Sequence, residues 1–276
     1  MKIKTRLIGL DLDGTLLTSG KVLTEQTKEI LKKAISQGIL VMPVTGRPIT
    51  GIPKELLQIE GIQYAVTANG GRIVEVATGK SLYENLVPRE IARNILKIFC
   101  EYDTLKEIYF DGTGYVNSAE LENISHYMPD RPMADYILST RLPVEDIWKK
   151  FEKETGGMDK VHCILADPTQ KEEMKRRLSE IPEIEVSGSL KSDLEVNARG
   201  VNKGNALLKL GEILGIAKEE IMAFGDASND FSMIEKAGSG VAMANAEKEL
   251  KEVADYIAYS NDEEGVARFI EEYVLD

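Results

Sequence analysis

The sequence predicts a doubly wound, Rossmann-like α/β core with a parallel sheet, interrupted by an inserted α+β unit. Three observations carry that expectation. Over residues 1–83, short apolar runs alternate with helical patterns, and each run ends in acidic, glycine or other polar residues. Between 84 and 194 the pattern changes to hairpin-like strands and two helical stretches. From 195 to 276 the strand–helix alternation returns. The expected division is a core built from 1–83 and 195–276, with an insert at 84–194.

Taken in order, Leu7–Leu10 is an apolar run that stops at Asp11. Thr24 is the N-cap of a helix with Ile30, Leu31, Ala34 and Ile35 on its buried face and Gly38 as its stop. Residues 39–44 form a second apolar strand, and Tyr64–Thr67 a third in the same parallel sheet, ending at Asn69-Gly70-Gly71. In the insert, strands at 107–110 and 115–117 flank Asp111-Gly112-Thr113-Gly114, a hairpin signal. Strands at 161–166 and 183–186 follow, with helical stretches at 143–154 and 168–180. Asn202 then caps a helix bearing Ala206, Leu207, Leu210, Ile213 and Leu214, which ends at Gly215. Strands at 221–224, 241–243 and 256–258 complete the core.

Composition excludes several classes of partner. The 276 residues carry 34 basic and 46 acidic side chains, a net charge of −12, which disfavours sustained contact with nucleic acid or an anionic membrane surface. An anionic substrate must therefore be drawn in by a local site. Cys100 and Cys163 fit no metal-binding spacing and no disulfide framework, as expected of reduced thiols in a cytoplasmic protein. Lys2, Lys4 and Arg6 precede a short apolar run, but Asp11 and Asp13 interrupt it before a signal-peptide core can form. No segment approaches the roughly 20 apolar residues that cross a bilayer.

The residues with chemistry lie where the core strands end. In Asp11-Leu12-Asp13-Gly14-Thr15-Leu16, residues i and i+2 share a strand face, so both carboxylates can approach one point beyond the sheet edge. Gly14 permits the tight exit. The bland reading is an acidic strand-to-loop turn. A calcium loop of the EF-hand type is excluded because its twelfth position is Val22 and not glutamate.

Val44-Thr45-Gly46-Arg47-Pro48 offers a hydroxyl and a backbone N–H suited to a phosphate oxygen; an ordinary Thr-Gly turn with a solvated Arg47 is the alternative. Lys203 falls in the first turn of a helix, where the macrodipole disfavours a cation by up to about 1 kcal/mol. A bound anion turns that conflict into a joint site of ammonium and helix amides, whereas an exposed lysine would be inconsequential. In Gly225-Asp226-Ala227-Ser228-Asn229-Asp230, Ser228 as N-cap with Asp230 in the first turn accounts for part of the pattern. Asp226 is not needed for capping and suits a hard cation that keeps several waters. Together these positions supply a nucleophile, a second carboxylate, a hydroxyl, an ammonium and a metal-binding acid at the strand ends, where open α/β sheets bind ligands. That is the equipment of phosphoryl transfer.

On these motifs the chain resembles the haloacid dehalogenase-like phosphatases, specifically the Cof-type hydrolases with a large α/β cap. Asp11-Leu12-Asp13-Gly14-Thr15 is similar to the family's first motif, Thr45 to its second, Lys203 to its third and residues 225–230 to its fourth. Asn69-Gly70-Gly71, Gly240-Val241-Ala242-Met243-Ala244-Asn245-Ala246 and Asn261-Asp262-Glu263-Glu264-Gly265-Val266-Ala267 are similar to further landmarks of that group. The insert's position between the second and third motifs is also the group's.

The resemblance implies a Mg²⁺-dependent phosphatase acting on a small phosphorylated metabolite, either a sugar phosphate or a phosphorylated cofactor. Asp11 would be the nucleophile that forms an aspartyl-phosphate, and Asp13 the general acid and then base. Mg²⁺ would be held by the Asp11 carboxylate, the Asp13 main-chain carbonyl and Asp226, with Asp230 supporting it directly or through water. Thr45, Gly46, Lys203 and Asn229 would bind the transferring phosphoryl oxygens. The insert would be a substrate-selecting cap, hinged near 82–87 and 188–193.

Two other readings compete. A phosphomutase or phosphotransferase would pass the same intermediate to a hydroxyl and needs a second phosphate site, usually with clustered arginines. Basic residues in 84–194 are scattered and outnumbered by acids. A non-catalytic regulator on this scaffold would be expected to lack a nucleophile or a metal acid, and Asp11, Asp13, Lys203 and Asp226 are all present. Neither the physiological substrate nor the oligomeric state has a signature in the chain.

Overall fold

Residues 2–188 and 190–276 are described by the computed structural model, and they form two compact units. Unit 1 comprises the described residues up to Gly46 together with Ile52–Glu84 and Asn202–Asp276; unit 2 comprises Arg47–Gly51 and Asn85–Val201.

Unit 1 begins with β1 (Leu7–Leu10), every residue of which is buried, and β2 (Leu40–Pro43), separated by the helix Glu25–Ser36. Thr24 caps that helix by accepting the Thr27 N–H, and Ile30, Leu31 and Ala34 form its buried face. Next come β3 (Tyr64–Thr67), β4 (Arg72–Glu75) and β5 (Ser81–Glu84), an antiparallel three-stranded sheet. This corrects the expectation that 64–67 extends the parallel sheet. A single parallel bridge, Val44 to Val66, links β3 to the chain beyond β2, and the turn at Asn69-Gly70-Gly71 sends β4 back along β3. A buried apolar run looks the same whichever way its partner runs.

In unit 2 the strands are β6 (Thr104–Phe110), β7 (Thr113–Asn117), β8 (Leu142–Val144), β9 (Lys160–Leu165), β10 (Ile184–Ser187) and β11 (Asp193–Ala198). They form one sheet in the order β10-β11-β9-β6-β7-β8. Asp111 and Gly112 close the β6–β7 hairpin with φ of 46° and 70°, the doubly left-handed turn that Asp-Gly favours. One face of the sheet packs Ile108, Val161, Cys163 and Leu194 against the helices Arg89–Phe99, Ile147–Lys153 and Lys171–Leu178. The opposite face joins Leu105, Val116 and Ile164 to a smaller cluster with Leu121, Met128, Ala134 and Ile137. β11 pairs with β10 on one side and β9 on the other, so the unit runs to Val201 and the expected boundary at 194/195 falls within a paired strand. The junction expected at 188–193 lies inside unit 2, and its Ser189 lies outside the described residues.

The chain re-enters unit 1 through the helix Lys203–Leu214 and then forms β12 (Ile221–Gly225), β13 (Ser239–Ala242) and β14 (Tyr256–Ile257). The five-stranded sheet is parallel throughout, in the order β14-β13-β12-β1-β2. Register places Leu10 beside both Phe224 and Pro43. Asp11, Thr45 and Asp226 therefore follow from the same edge of the sheet, at the point where strand order reverses about β1. Among the described residues no helix is long and apolar enough to cross a membrane.

Candidate active site

Asp11 is the first residue beyond β1, and its N–H still donates to Phe224 O of β12 at 3.1 Å. The following chain turns at once: the Leu16 and Leu17 N–H groups return to Asp11 O and Leu12 O at 3.2 and 2.9 Å. Gly14 makes that turn possible with φ +83°, and a Cβ there would lie 2.3 Å from Asp226 Oδ2. The loops after β1 and β12 thus meet with no room for a side chain between them. Thr15 Oγ1 completes the junction by donating to Asp226 Oδ1 at 2.9 Å.

Lys203 opens the helix that Asn202 caps, the Asn202 side chain accepting the Asn205 N–H at 2.8 Å. It is fully buried, which removes the exposed alternative. Its Nζ lies 2.6 Å from Asp11 Oδ1 and 2.5 Å from Asp230 Oδ1. The other oxygen of Asp230 accepts the Asp226 and Ala227 N–H groups at 2.9 and 3.1 Å. Asp230 is therefore a fully buried brace joining Lys203 to the loop after β12, beyond the first-turn role expected for it.

Carboxylate oxygens of Asp11, Asp226 and Asp230 all lie within 4.8 Å of one another. Three carboxylates around one ammonium leave an excess of negative charge. Burial, and then the charge of Asp230, hold the Asp11 carboxyl well above the usual carboxylate range, with Lys203 pulling the other way. Burial and Asp230 likewise push Asp226 up to about 7. Burial works against the Lys203 charge, but Asp11 and Asp230 outweigh it and raise the ammonium above its ordinary value. A cluster of hard oxygen donors that binds protons this readily fits a divalent cation such as Mg²⁺.

The Asp13 carboxylate does not belong to this cluster; Lys21 Nζ lies 2.6 Å from its Oδ1. Thr45 is buried beyond β2, with its N–H donating to Val66 O at 2.9 Å and its carbonyl accepting the Asn69 N–H at 3.0 Å. The Asn69 side chain also accepts from Asn229 Nδ2 at 3.4 Å, so one residue, through its N–H and its amide oxygen, connects the loops carrying Thr45 and Asn229. Gly46 follows Thr45 and ends that stretch of unit 1. Arg47 is not solvated. It is buried in unit 2, its guanidinium 4.0 Å from the centre of the Tyr136 ring and donating to Gly51 O at 2.8 Å.

Sequence reasoning left several supporting residues without a role. Asn245 Nδ2 donates to Gly14 O at 2.8 Å, and Asn245 Oδ1 accepts the Asn261 N–H at 3.1 Å. Asn261 Nδ2 donates to Leu17 O at 2.9 Å. Asp262 accepts the Ser19 N–H and hydroxyl at 2.8 and 2.7 Å, and Glu264 accepts from the Thr24 and Thr27 hydroxyls at 2.8 and 2.6 Å. The 240–246 and 261–267 landmarks thus hold the loop that carries Asp13. Their distance along the chain gives no local sign of this.

The model of the haloacid dehalogenase-like hydrolase family matches residues 8–270. The 5-amino-6-(5-phospho-D-ribitylamino)uracil phosphatase YwtE of Bacillus subtilis is 33% identical, the match covering 97% of this chain and 97% of that protein. YcsE of the same organism, a phosphatase of the same name, is 30% identical over 99% and 97% of the two chains. A solved haloacid dehalogenase-like hydrolase from B. subtilis matches with a TM-score of 0.86 at 28% identity, covering 97% of this chain and 99% of that one.

Proposed function

The chain belongs to the haloacid dehalogenase-like hydrolases, and on that premise we propose that it is a Mg²⁺-dependent phosphatase that releases phosphate from a small phosphorylated metabolite through an aspartyl-phosphate on Asp11. The observation that carries the reading is the buried Lys203 ammonium joining Asp11 to Asp230 beside Asp226. It supplies fixed positive charge where an anionic nucleophile must meet an anionic ester.

The Asp11 carboxylate attacks phosphorus, the ester P–O bond breaks, and the Asp13 carboxyl gives its proton to the departing oxygen. Water then attacks phosphorus, the bond to Asp11 breaks, and the Asp13 carboxylate takes the water's proton. Ester and water become alcohol and phosphate, and both aspartates are returned. Thr45, Gly46, Lys203 and Asn229 bind the transferring oxygens. The Asp11 carboxylate, the Asp13 main-chain carbonyl and Asp226 would hold Mg²⁺, which when bound offsets the charge of nucleophile and ester. Both Asp230 oxygens are already engaged by Lys203 and two N–H groups, which supports an orienting role for it.

The names of YwtE and YcsE support an alcohol carrying several hydroxyl or amino groups as leaving group, such as a ribityl or sugar moiety. Unit 2 is the candidate substrate-selecting cap. Acidic net charge and two free cysteines support a cytoplasmic setting.

The test is rapid acid quench with ³²P-labelled ester and Mg²⁺. A phosphoprotein labile to hydroxylamine is expected, and Asp11→Asn should abolish it together with turnover while leaving the fold intact. Turnover surviving in Asp11→Asn would refute the covalent mechanism.

A further inference from the structure

We propose that Lys21 is a positioning residue for Asp13: its ammonium holds the Asp13 carboxylate apart from the Asp11, Asp226 and Asp230 cluster and so sets the place from which Asp13 gives its proton to the leaving oxygen. The inference rests on the reading of Asp13 as general acid and adds to it a residue outside the family motifs.

Two independent features separate this contact from an ordinary surface ion pair, which contributes little. The first is where it lies. Nζ and Oδ1 are 2.6 Å apart, and the two side chains are only 24% and 29% exposed.

The second is the backbone. Lys21 has φ +62°, a left-handed conformation natural to glycine or asparagine and strained for lysine. It stands in a closed turn in which the Lys21 N–H donates to Thr18 O at 2.8 Å and the Thr18 N–H to Val22 O at 3.1 Å. Asp262 anchors this turn at Ser19, and Asn261 anchors the preceding Leu17 carbonyl. Immediately after Asp13, Asn245 fixes the Gly14 carbonyl. The residue after Asp13 is thus held by one part of the C-terminal segment, and the Asp13 carboxylate by a lysine whose turn is held by another. A position where glycine would relieve strain instead carries a lysine whose ammonium lies 2.6 Å from the Asp13 carboxylate.

The experiment compares kcat/KM for an alkyl phosphate with kcat/KM for 4-nitrophenyl phosphate. This quantity covers the steps up to expulsion of the leaving group. Nitrophenolate leaves without a proton, whereas an alkoxide needs one. General acid catalysis is worth about 10²–10⁴-fold, and Lys21→Met should forfeit roughly ten-fold or more of it, seen as a fall in the alkyl-to-aryl ratio. Lys21→Arg keeps the cation and should recover most of the ratio. Lys21→Gly relieves the left-handed strain, so its thermal midpoint should not fall while its ratio falls with that of Lys21→Met. An unchanged ratio in both variants, or an equal fall for both esters, overturns the proposal. Asp13→Asn is the control: if it leaves the wild-type ratio in place, the acid role of Asp13 fails as well. A failure confined to the Lys21 variants leaves that role standing.

Discussion

Lys203, Asp11, Asp226 and Asp230 were legible as a set because each follows the end of a parallel strand or opens a core helix, and the sheet brings those ends to one edge. Lys21 and Arg47 were not, because a lysine in a polar loop or an arginine after a glycine matches a solvated side chain until its partner is known. The charge imbalance of the cluster has a consequence for stability. Asp226 binds its proton with a pKa of about 7 in the folded chain against an ordinary 3.8, burial being the first cause and Asp230 the second. The folded state therefore holds that proton more tightly than the unfolded state, and this contribution to stability falls as pH rises from 3.8 to about 7. Asp11 shifts in the same direction. In EDTA, denaturant titrations at pH 5 and pH 8 should show Asp226→Asn gaining stability relative to wild type at the higher pH. On the proposed metal site, Mg²⁺ should remove the wild-type deficit by binding the folded cluster and not the unfolded chain. Parallel pH dependences for the two proteins in EDTA would mean that Asp226 is not held in its acid form.

Secondary-structure elements were read most securely where punctuation was local. Thr24 and Asn202 cap the helices expected of them, Gly215 ends the second with φ +64°, and Asp111-Gly112 turns the β6–β7 hairpin. Pairing between strands distant in sequence left no such sign, so β3 was expected in the parallel sheet and β11 was split between units. The same non-local pairing builds a charged patch no motif announces. On β6, β9 and β11, His162 lies between Glu107 and Asp193, with Nδ1 3.3 Å from one carboxylate and Nε2 3.5 Å from the other. Burial works against its charge, but Glu107 and Asp193 outweigh burial and raise the imidazole from 6.5 to about 9. The resulting stabilisation is complete below pH 6.5 and lost as pH rises through 9, on the order of 3 kcal/mol at most. Urea denaturation between pH 6 and 9.5 should therefore show wild type losing stability while His162→Gln stays flatter. Equal slopes would place the His162 charge outside the balance that holds this sheet.

At the scale of the whole molecule, the chain passes between its two units at 46/47, 51/52, 84/85 and 201/202, where the sequence announced two junctions. The extra pair arises because Arg47–Gly51 leaves unit 1 immediately after the proposed phosphate-binding turn Thr45-Gly46 and folds as part of unit 2. Arg47 lies over Tyr136, and Thr50 Oγ1 donates to Gly112 O at 3.0 Å, at the tip of the β6–β7 hairpin. Gly46 is bonded directly to Arg47, the first residue of that segment, and a displacement near 1 Å at a substrate-binding turn can cost about 10²-fold in rate. A unit that only selects leaving groups would leave phosphate binding untouched, whereas on the proposed reading of Thr45-Gly46 this one is joined through the chain to the phosphate-binding turn. The two possibilities separate in product inhibition, because inorganic phosphate carries no leaving group. Tyr136→Ala removes the ring on which Arg47 rests, and it should weaken inhibition by inorganic phosphate several-fold as well as altering KM among natural esters. Lys203→Met should depress every ester together. If Tyr136→Ala changes the ranking of esters but leaves the phosphate inhibition constant at its wild-type value, unit 2 acts on the leaving group alone, and the strap at 47–51 is merely a passage of chain.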